Sequence, residues 1–394
     1  MHDGNFMEHG AISVGAEKIG QSAQPPSPPP PVAPNSEQPG TIVSIQALRF
    51  AAAFMVVLFH AHVALVRGFP QHVPGQVDHA FEVGASGVHI FFVISGFVMV
   101  YTSIRSRLTS ASFLRRRLIR IYPIYWVVFC AYLAAHQLLG TPYHLTLGEI
   151  GKASLLLPGY SAMVIGPGWT LSFEMYFYIC FALALLASVR TGLVALTAFY
   201  LLAVLAGLLL GAASAFGKVF TDSLLLEFVA GAWLGLAYSR GIGITKNVGA
   251  VLIITAIALF ASGFWIDYNL APSIISWGIP SVLLVAGTLA FESNLRSATG
   301  RFFGRLGDSS YLLYLCHVLL IDLLLATPIS RLNHNERWAI AISLPLALAC
   351  TAIAAGGYKV IELPLLNAMK RLTIPMRAAA QPASGSAART SARP

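Results

Sequence analysis

Residues 49–62 read RFAAAFMVVLFHAH and place one arginine and two histidines in an otherwise apolar stretch. The apolar run around them covers 42–66, close to the roughly 20 residues that a helix needs to span about 30 Å of hydrocarbon. An ionisable side chain at the centre of a bilayer costs roughly 2.5–3.5 kcal/mol, so such residues usually face a cavity or a partner. The stretch therefore predicts a membrane-spanning helix in which Arg49 and His60 have a partner.

The composition of the whole chain indicates a membrane protein. Of its 394 residues, 56% are hydrophobic and only 10% are charged, whereas soluble domains carry about 25% charged residues. The net charge of +9 comes from short basic clusters between apolar runs, so it indicates membrane topology and no nucleic-acid partner. The four cysteines fall inside apolar stretches, which predicts neither a disulfide framework nor a metal site.

Ten apolar segments, each near the length of a membrane span, follow one another along the chain. They cover 42–66, 84–102, 119–139, 171–188, 191–213, 222–240, 247–266, 274–291, 309–327 and 337–360. None shows the alternation that is typical of membrane β-strands. The sequence therefore predicts an all-α, polytopic transmembrane helical bundle with about ten spans.

The distribution of lysine and arginine predicts the orientation of this bundle. If the N-terminal tail is cytoplasmic, the inner loops and the C-terminal tail carry seventeen Lys and Arg residues and the outer loops carry five. Because positive residues concentrate on the cytoplasmic side, we expect both termini there.

Two tails flank the predicted membrane domain, which covers 41–366. Residues 1–40 contain QPPSPPPPVAPNSEQPG and are expected to form a disordered, Pro-rich tail, either passive or a ligand for a Pro-binding module. They lack the basic-then-apolar start of a signal peptide. Residues 367–394 are expected to form a basic, disordered cytoplasmic tail.

Arg49 and His60 are predicted to share one face of the first helix. They are eleven residues apart, a turn of about 1100° and a rise of about 16 Å, so both side chains point in nearly the same direction. Arg49 is expected toward the cytoplasm and His60 beyond the midplane, while His62 faces elsewhere. The alternative is that Arg49 reaches for the interface and His60 only bonds a neighbouring helix.

The second segment contains GASGVHIFFVISGFVMVY. Its Gly84, Gly87 and Gly96 are expected to permit close approach of neighbouring helices. Ser95 is expected mainly to bond backbone, with a substrate contact as the alternative. His89 is predicted near the outer end, at a depth comparable to that of His60.

The stretch SFLRRRLIRIYPIYW places Arg117 and Arg120 one helical turn apart, on one face just below the membrane. Anchoring by positive charge on the cytoplasmic side explains most of this cluster. A phosphate-binding site is the other interpretation, because guanidinium groups suit bidentate phosphate contacts.

The stretch GPGWTLSFEMYFY begins the fourth segment. Gly166 to Gly168 form a rigid turn that is able to dip into the bilayer, with Trp169 at the interface. Glu174 is predicted at roughly the depth of His60, either as a counter-ion for an arginine or as the carboxylate that orients the His60 ring for general-base chemistry.

Three further ionisable residues have open assignments. His317, in the ninth segment, is predicted nearer the cytoplasmic half, either as a core histidine satisfied by a tyrosine or as a substrate contact. Glu362 is expected at the inner boundary, paired with the arginine-rich loops. Glu227 is a candidate ion-pair partner without a predicted position.

The motifs together resemble those of the acyltransferase-3 family of polytopic bacterial membrane enzymes, in particular the exopolysaccharide-production acetyltransferases of the ExoZ type. The matching stretches span most of 44–365: SIQALRFAAAFMVVLFHA, GVHIFFVISGF, FLRRRLIRIYPIYW, GPGWTLSFEMYFY, LGDSSYLLYLCH and VIELPL. The arginine and histidine on the first helix, separated by ten intervening residues, are the most specific of these signs. Position 89 departs from the pattern, since it is often acidic in relatives and is histidine here.

The resemblance implies a bacterial inner (plasma) membrane enzyme that uses acyl-CoA, usually acetyl-CoA, as a donor substrate and has no permanently bound cofactor. It implies that Arg49 binds the donor, that His60 is catalytic, and that Arg117, Arg120 and Glu174 occupy family motif positions. The implied partners are a sugar or glycolipid acceptor, membrane lipid and polysaccharide-assembly proteins.

The expected reaction begins when His60, oriented by Glu174, removes a proton from a sugar hydroxyl that attacks the thioester; an acyl-histidine intermediate is the other route. Arg49, Arg117 and Arg120 are expected to bind acyl-CoA. His317, Trp169 and Ser95 are the further candidate substrate contacts. A transporter or proton-coupled channel that uses the same residues as a path is the rival interpretation, and an inactive glycolipid-binding relative is a third.

Overall fold

The computed structural model describes residues 41–69, 75–262, 273–327 and 336–373. All regular structure within these ranges is helical. The predicted Pro-rich tail, 1–40, and residues 374–394 of the predicted basic tail lie outside the described residues. The predicted all-α fold is confirmed for the part of the chain that the structure describes.

Sixteen α-helices are described, and short 3₁₀ or π turns precede four of them. They are α1 (Val43–Val66), α2 (Gln76–Glu82), α3 (Gly87–Arg105), α4 (Ser110–Leu138), α5 (Leu147–Ser154), α6 (Trp169–Ala184), α7 (Val189–Leu210), α8 (Ala215–Phe220), α9 (Leu225–Ser239), α10 (Lys246–Ser262), α11 (Ile279–Leu289), α12 (Glu292–Leu295), α13 (Ala298–Asp308), α14 (Ser310–Leu325), α15 (Glu336–Gly357) and α16 (Leu363–Thr373). The 3₁₀ turns are Val83–Ser86 and Gly166–Gly168, and the π turns are Ile274–Gly278 and Tyr358–Glu362.

Each of the ten predicted apolar segments overlaps a described helix. Within the described ranges, six helical stretches are long and apolar enough to cross a membrane. They are Val43–Val66, Gln76–Arg105, Ser110–Leu138, Val189–Leu210, Ala215–Ser239 and Arg337–Leu372. The pair α13 and α14, bent by 61° at its junction, gives a seventh if it counts as one span. The protein is therefore a helical membrane protein, and the part that the structure describes holds six or seven candidate spans of full length.

The arginine-rich stretch lies inside a helix rather than in a loop before one. Helix α4 begins at Ser110, where the Thr109 side chain accepts a hydrogen bond from the Ser112 amide. The predicted segment began only at 119, because arginine lowers the hydropathy of the preceding turns although it favours helix. Arg117 and Arg120 are consequently rigid parts of a 29-residue helix.

The start of α1 is held by a carboxylate from a distant part of the chain. Glu292 accepts hydrogen bonds from the amides of Val43 and Ser44 at 3.1 and 2.8 Å. These amides have no partner inside the helix, and a negative charge there also complements the helix dipole. Since Arg49 and His60 lie on the same helix, this cap helps to set the positions of both.

Glycines let three helices approach closely, as predicted. Gly84 and Gly87 lie against the backbone carbonyls of Met55 and Ala52 on α1. Gly96 lies against the Phe228 carbonyl of α9 and is fully buried with it. Helix α3 is therefore wedged between α1 and α9.

Replacing Gly96 with alanine is expected to destabilise the bundle, since its Cβ would overlap the Phe228 carbonyl oxygen. Overpacking of this kind costs roughly 1–3 kcal/mol. Thermal unfolding of the detergent-solubilised protein should show a lower midpoint for Gly96→Ala. The matched control is Gly356→Ala on α15, where a Cβ meets nothing within 4 Å; equal midpoints for the two variants would contradict the assignment.

Candidate active site

Two histidines from distant parts of the chain meet at the centre of the candidate site. The rings of His60 on α1 and His317 on α14 lie 4.8 Å apart, edge to face at 67°. His317 is fully buried and His60 is partly buried. His317 therefore lies beside His60, so the predictions that His60 lies beyond the midplane and that His317 lies nearer the cytoplasmic half do not both hold.

Backbone carbonyls define which nitrogen of each ring carries hydrogen. His60 Nδ1 lies 2.9 Å from the Val56 carbonyl oxygen, and His317 Nδ1 lies 2.8 Å from that of Tyr314. A carbonyl oxygen only accepts, so each Nδ1 donates, and each Nε2 of the neutral rings keeps its lone pair. His317 Nε2 is buried with no hydrogen-bond partner among the described residues. The pair therefore offers two proton-accepting nitrogens.

The Gly-Pro-Gly turn packs one helical turn away from this pair. The Tyr314 hydroxyl lies 3.1 Å from Thr170 Oγ1 and donates weakly to the Pro167 carbonyl at 3.5 Å. The Tyr314 ring also lies 5.8 Å from the His317 ring. Trp169, 40% exposed, starts α6 directly beside this turn.

Glu174 does not bond to His60. Its carboxylate accepts a hydrogen bond from Ser95 at 3.0 Å, so the prediction that Ser95 mainly bonds backbone is wrong. It lies within electrostatic range of Arg117 and Arg120. The contacts described for His60 are instead Val56, Phe59 and His317.

The start of α6 explains why Glu174 and His60 lie at different levels. Thr170 lies level with Tyr314, and Glu174 follows Thr170 by four residues, about 6 Å of helix. Helix α14 runs in the opposite direction to α6, so His317, three residues after Tyr314, lies about 4.5 Å on the other side of this level. The two groups are thus separated by about 10 Å along the helices. The sequence placed the start of this helix at the membrane boundary, whereas it starts at a turn packed against the middle of the bundle.

Six charged side chains form a second cluster, which we call the charge cluster. Its members are Arg49, Arg117, Arg120, Glu174, Asp308 and Glu362. Arg49 donates to the Gln46 side chain at 2.9 Å, and Gln46 in turn donates to Asp308 at 2.8 Å. Glu362 is buried with one oxygen unpartnered and lies within electrostatic range of Arg120 and Arg49, but it forms no ion pair with an arginine among the described residues.

The arginines of the charge cluster are held by neutral groups. Arg117 donates to Thr102 at 3.3 Å and lies over the rings of Phe113 and Tyr178 at 5.3 and 5.5 Å. In the described ranges, no carboxylate of this cluster approaches a guanidinium nitrogen within 4.0 Å. Converging guanidinium groups without a bound carboxylate suit an anionic, phosphate-like ligand.

The remaining predicted polar residues lie outside both groups. His89 Nδ1 lies 2.7 Å from Glu227 Oε1 in a buried hydrogen-bonded pair, which gives Glu227 a partner and explains a histidine at position 89. His62 faces away from His60, as predicted: it bonds Asp78 at 2.9 Å and stacks on Phe81 at 3.9 Å.

Sequence reasoning missed four residues of the site. Gln46, Asp308, Thr170 and Tyr314 connect the predicted residues to one another. All four lie inside the motif stretches quoted above. Their positions were therefore detectable, but their contacts join segments up to 262 residues apart and depend on the fold.

Comparison with known proteins now identifies the class. A family model described as an acyltransferase domain matches residues 42–356. The exopolysaccharide production protein ExoZ of Rhizobium meliloti (strain 1021) is 32% identical over 308 residues, covering 75% of this chain and 94% of the relative. The acyltransferase MdmB of Streptomyces mycarofaciens is 27% identical over 387 residues, covering 87% and 96%. No solved structure matches the chain.

The chain belongs to the acyltransferase-3 family. It is a membrane-embedded O-acyltransferase, and the resemblance drawn from the sequence motifs is confirmed.

Solid-state NMR tests which ring nitrogen of His60 and of His317 carries hydrogen. In protein labelled with ¹⁵N-histidine at pH 8, both residues should show a hydrogen-bearing Nδ1 and a lone-pair Nε2, because each Nδ1 faces a carbonyl oxygen. Difference spectra against His60→Gln and His317→Gln assign the signals by solid-state NMR. A hydrogen-bearing Nε2 on His60 would contradict the geometry.

Proposed function

We propose that this protein transfers an acetyl group from cytoplasmic acetyl-CoA to a hydroxyl of an extracytoplasmic or lipid-linked sugar. The observation that carries this proposal is that one bundle holds two Nε2 lone pairs, on His60 and His317, and, about 16 Å away along α1, a cluster of arginines with no ion pair to a described residue. A base and an anion site in one helical bundle are what transfer from an anionic thioester requires.

The donor is bound at the charge cluster. CoA carries a diphosphate and a further phosphate, and the forks of Arg117 and Arg120 suit such oxygens. Arg49 lies within electrostatic range of Arg120 and, along α1, about 16 Å below His60. The pantetheine arm of CoA has a comparable length, so it connects the two sites and carries the thioester to the histidines.

Glu174 acts at the donor end in this proposal. A carboxylate among three arginines offsets part of their mutual repulsion and keeps them in place when no donor is bound. Ser95 orients that carboxylate through its hydrogen bond. This role replaces the predicted orientation of the His60 ring, for which Glu174 lies too far along α6.

The reaction follows from the geometry of the histidines. His60 Nε2 takes the proton of the acceptor hydroxyl while the hydroxyl oxygen bonds to the thioester carbonyl carbon. The carbon–sulfur bond breaks, and the leaving CoA sulfur receives the proton from His60, which yields the ester and free CoA. His317 Nε2 accepts a hydrogen bond from a substrate group, and Trp169 closes the site at the start of α6. The same lone pair also permits an acyl-histidine intermediate, in which His60 attacks the thioester first.

The acceptor and the cellular role rest on similarity. The Rhizobium meliloti relative is an exopolysaccharide production protein, which supports a role in exopolysaccharide biosynthesis beside polysaccharide-assembly proteins. The distribution of basic residues supports an inner (plasma) membrane protein of about ten spans with both termini in the cytoplasm. Four apolar helices shorter than 18 residues, α6, α10, α14 and the Ile274–Leu289 stretch, support that count.

Replacing His60 with alanine should lower acetyl transfer by roughly 10²–10⁴-fold, the usual contribution of a general base. The readout is acetyl incorporated into surface glycan per amount of protein in the membrane. His62→Gln is the matched control, since it alters a histidine two positions away that faces Asp78. Unchanged transfer in His60→Ala would refute the assignment.

Replacing Arg120 with lysine should raise the KM for acetyl-CoA about tenfold or more and leave kcat nearly unchanged, because a charged hydrogen bond contributes about 1.5–3 kcal/mol. Thiol release during steady-state turnover measures both constants. Arg116→Lys on the same helix is the control, since Arg116 is exposed. Equal KM values for the two variants would place the donor elsewhere.

A further inference from the structure

Beyond the histidine pair, on the side away from the charge cluster, a third group of polar residues gathers from four elements. We call it the rim cluster: Arg67 at the end of α1, His136 in the last turn of α4, Tyr143 in the following segment and Asp322 on α14. Asp322 lies within electrostatic range of Arg67 and His136. Tyr143 in turn lies within range of Asp322.

Contacts between α4 and α14 locate this cluster relative to the histidine pair. The Tyr132 hydroxyl donates to the Leu315 carbonyl at 3.2 Å and accepts from the Leu319 amide at 3.1 Å. These two positions flank His317, so Tyr132 lies at its level. His136, four residues further along α4, lies about 6 Å beyond that level.

The residues of the rim cluster on α14 and α1 lie on the same side of the histidine pair as His136. Asp322 follows His317 by five residues, about 7.5 Å, and Arg67 follows His60 by seven, about 10 Å. Arg67 also lies within electrostatic range of His60 itself. The rim cluster therefore lies roughly one to two helical turns beyond the reacting nitrogens, opposite the donor side.

The charged groups of the rim cluster are open to a ligand. Asp322 is half-buried and Arg67 is exposed, and neither side chain has a hydrogen bond or ion pair to a described residue. His136 Nδ1 bonds Thr141 at 3.1 Å. The His136 ring lies 4.7 Å from Tyr143 and 6.3 Å from Tyr132, so aromatic surface borders the charges.

This set of groups matches the chemistry of a sugar. Carboxylate and guanidinium groups form paired hydrogen bonds with neighbouring hydroxyls, whereas the rings of His136 and Tyr143 offer apolar surface. The Tyr143 hydroxyl donates to the Val164 carbonyl at 2.9 Å, so it meets a sugar as an acceptor. We infer that Arg67, His136, Tyr143 and Asp322 bind the acceptor as a sugar headgroup and hold one of its hydroxyls against His60. This inference rests on the proposed function, because it assigns the acceptor subsite of that reaction.

The test uses purified protein in nanodiscs, where both faces are accessible, with acetyl-CoA and hexyl glucoside or hexyl galactoside as acceptor. Thiol release without glycoside measures hydrolysis of the donor alone, and mass spectrometry of acetylated glycoside measures transfer. The variants are Asp322→Asn and Arg67→Gln. The control is Glu149→Gln on α5, which alters an exposed carboxylate bound only to its own cap residue, Thr146.

If the rim cluster binds the sugar, Asp322→Asn and Arg67→Gln raise the glycoside KM at least tenfold. Hydrolysis of acetyl-CoA and its KM stay unchanged in both, and Glu149→Gln matches the wild type. Should Asp322→Asn fail to fold, Arg67→Gln, at an exposed helix end, carries the test alone. Unchanged glycoside KM values, or a wild-type protein that acetylates neither glycoside, overturn the inference. Loss of transfer in the rim variants with full transfer in His60→Ala would instead overturn the proposed function.

Discussion

The site depends on one contact, the edge-to-face packing of His60 on α1 against His317 on α14. Polar rings in an apolar bundle need hydrogen-bond partners. Here each ring donates its Nδ1 hydrogen to a backbone carbonyl of its own helix. The Nε2 atoms are left as bases by this arrangement. Because an unpartnered buried nitrogen is costly, we propose that a substrate group bonds the His317 Nε2, which has no partner among the described residues.

The distance between the charge cluster and the histidine pair is the second organising feature of the structure. Arginines and carboxylates gather about one end of α1, while the histidine pair lies some 16 Å along it. Neutral partners such as Gln46 and Thr102 hold the arginines. Because no carboxylate of the cluster contacts these guanidinium groups within the described residues, we propose that the anionic part of the donor binds there and that its thioester reaches the histidines.

The sequence predicted the helical membrane fold, the glycine contacts, the opposite facing of His62 and the family, because these depend on local composition and short motifs. It did not predict that α6 begins at a turn packed beside Tyr314, since hydropathy marks where apolar residues start and not how deep they lie. Because the predicted depth of α6 was wrong, Glu174 was predicted to lie beside His60. The His60–His317 contact and the Gln46–Asp308 bond join segments that only the tertiary fold brings together.

A structure of the protein with a non-hydrolysable acetyl-CoA analogue, determined by cryo-electron microscopy in lipid, tests the central claim most directly. The account predicts the diphosphate of the analogue between Arg117 and Arg120, and its acyl carbonyl beside Nε2 of His60. An analogue whose acyl end lies away from α1 and α14, with both imidazoles still in contact, would contradict it.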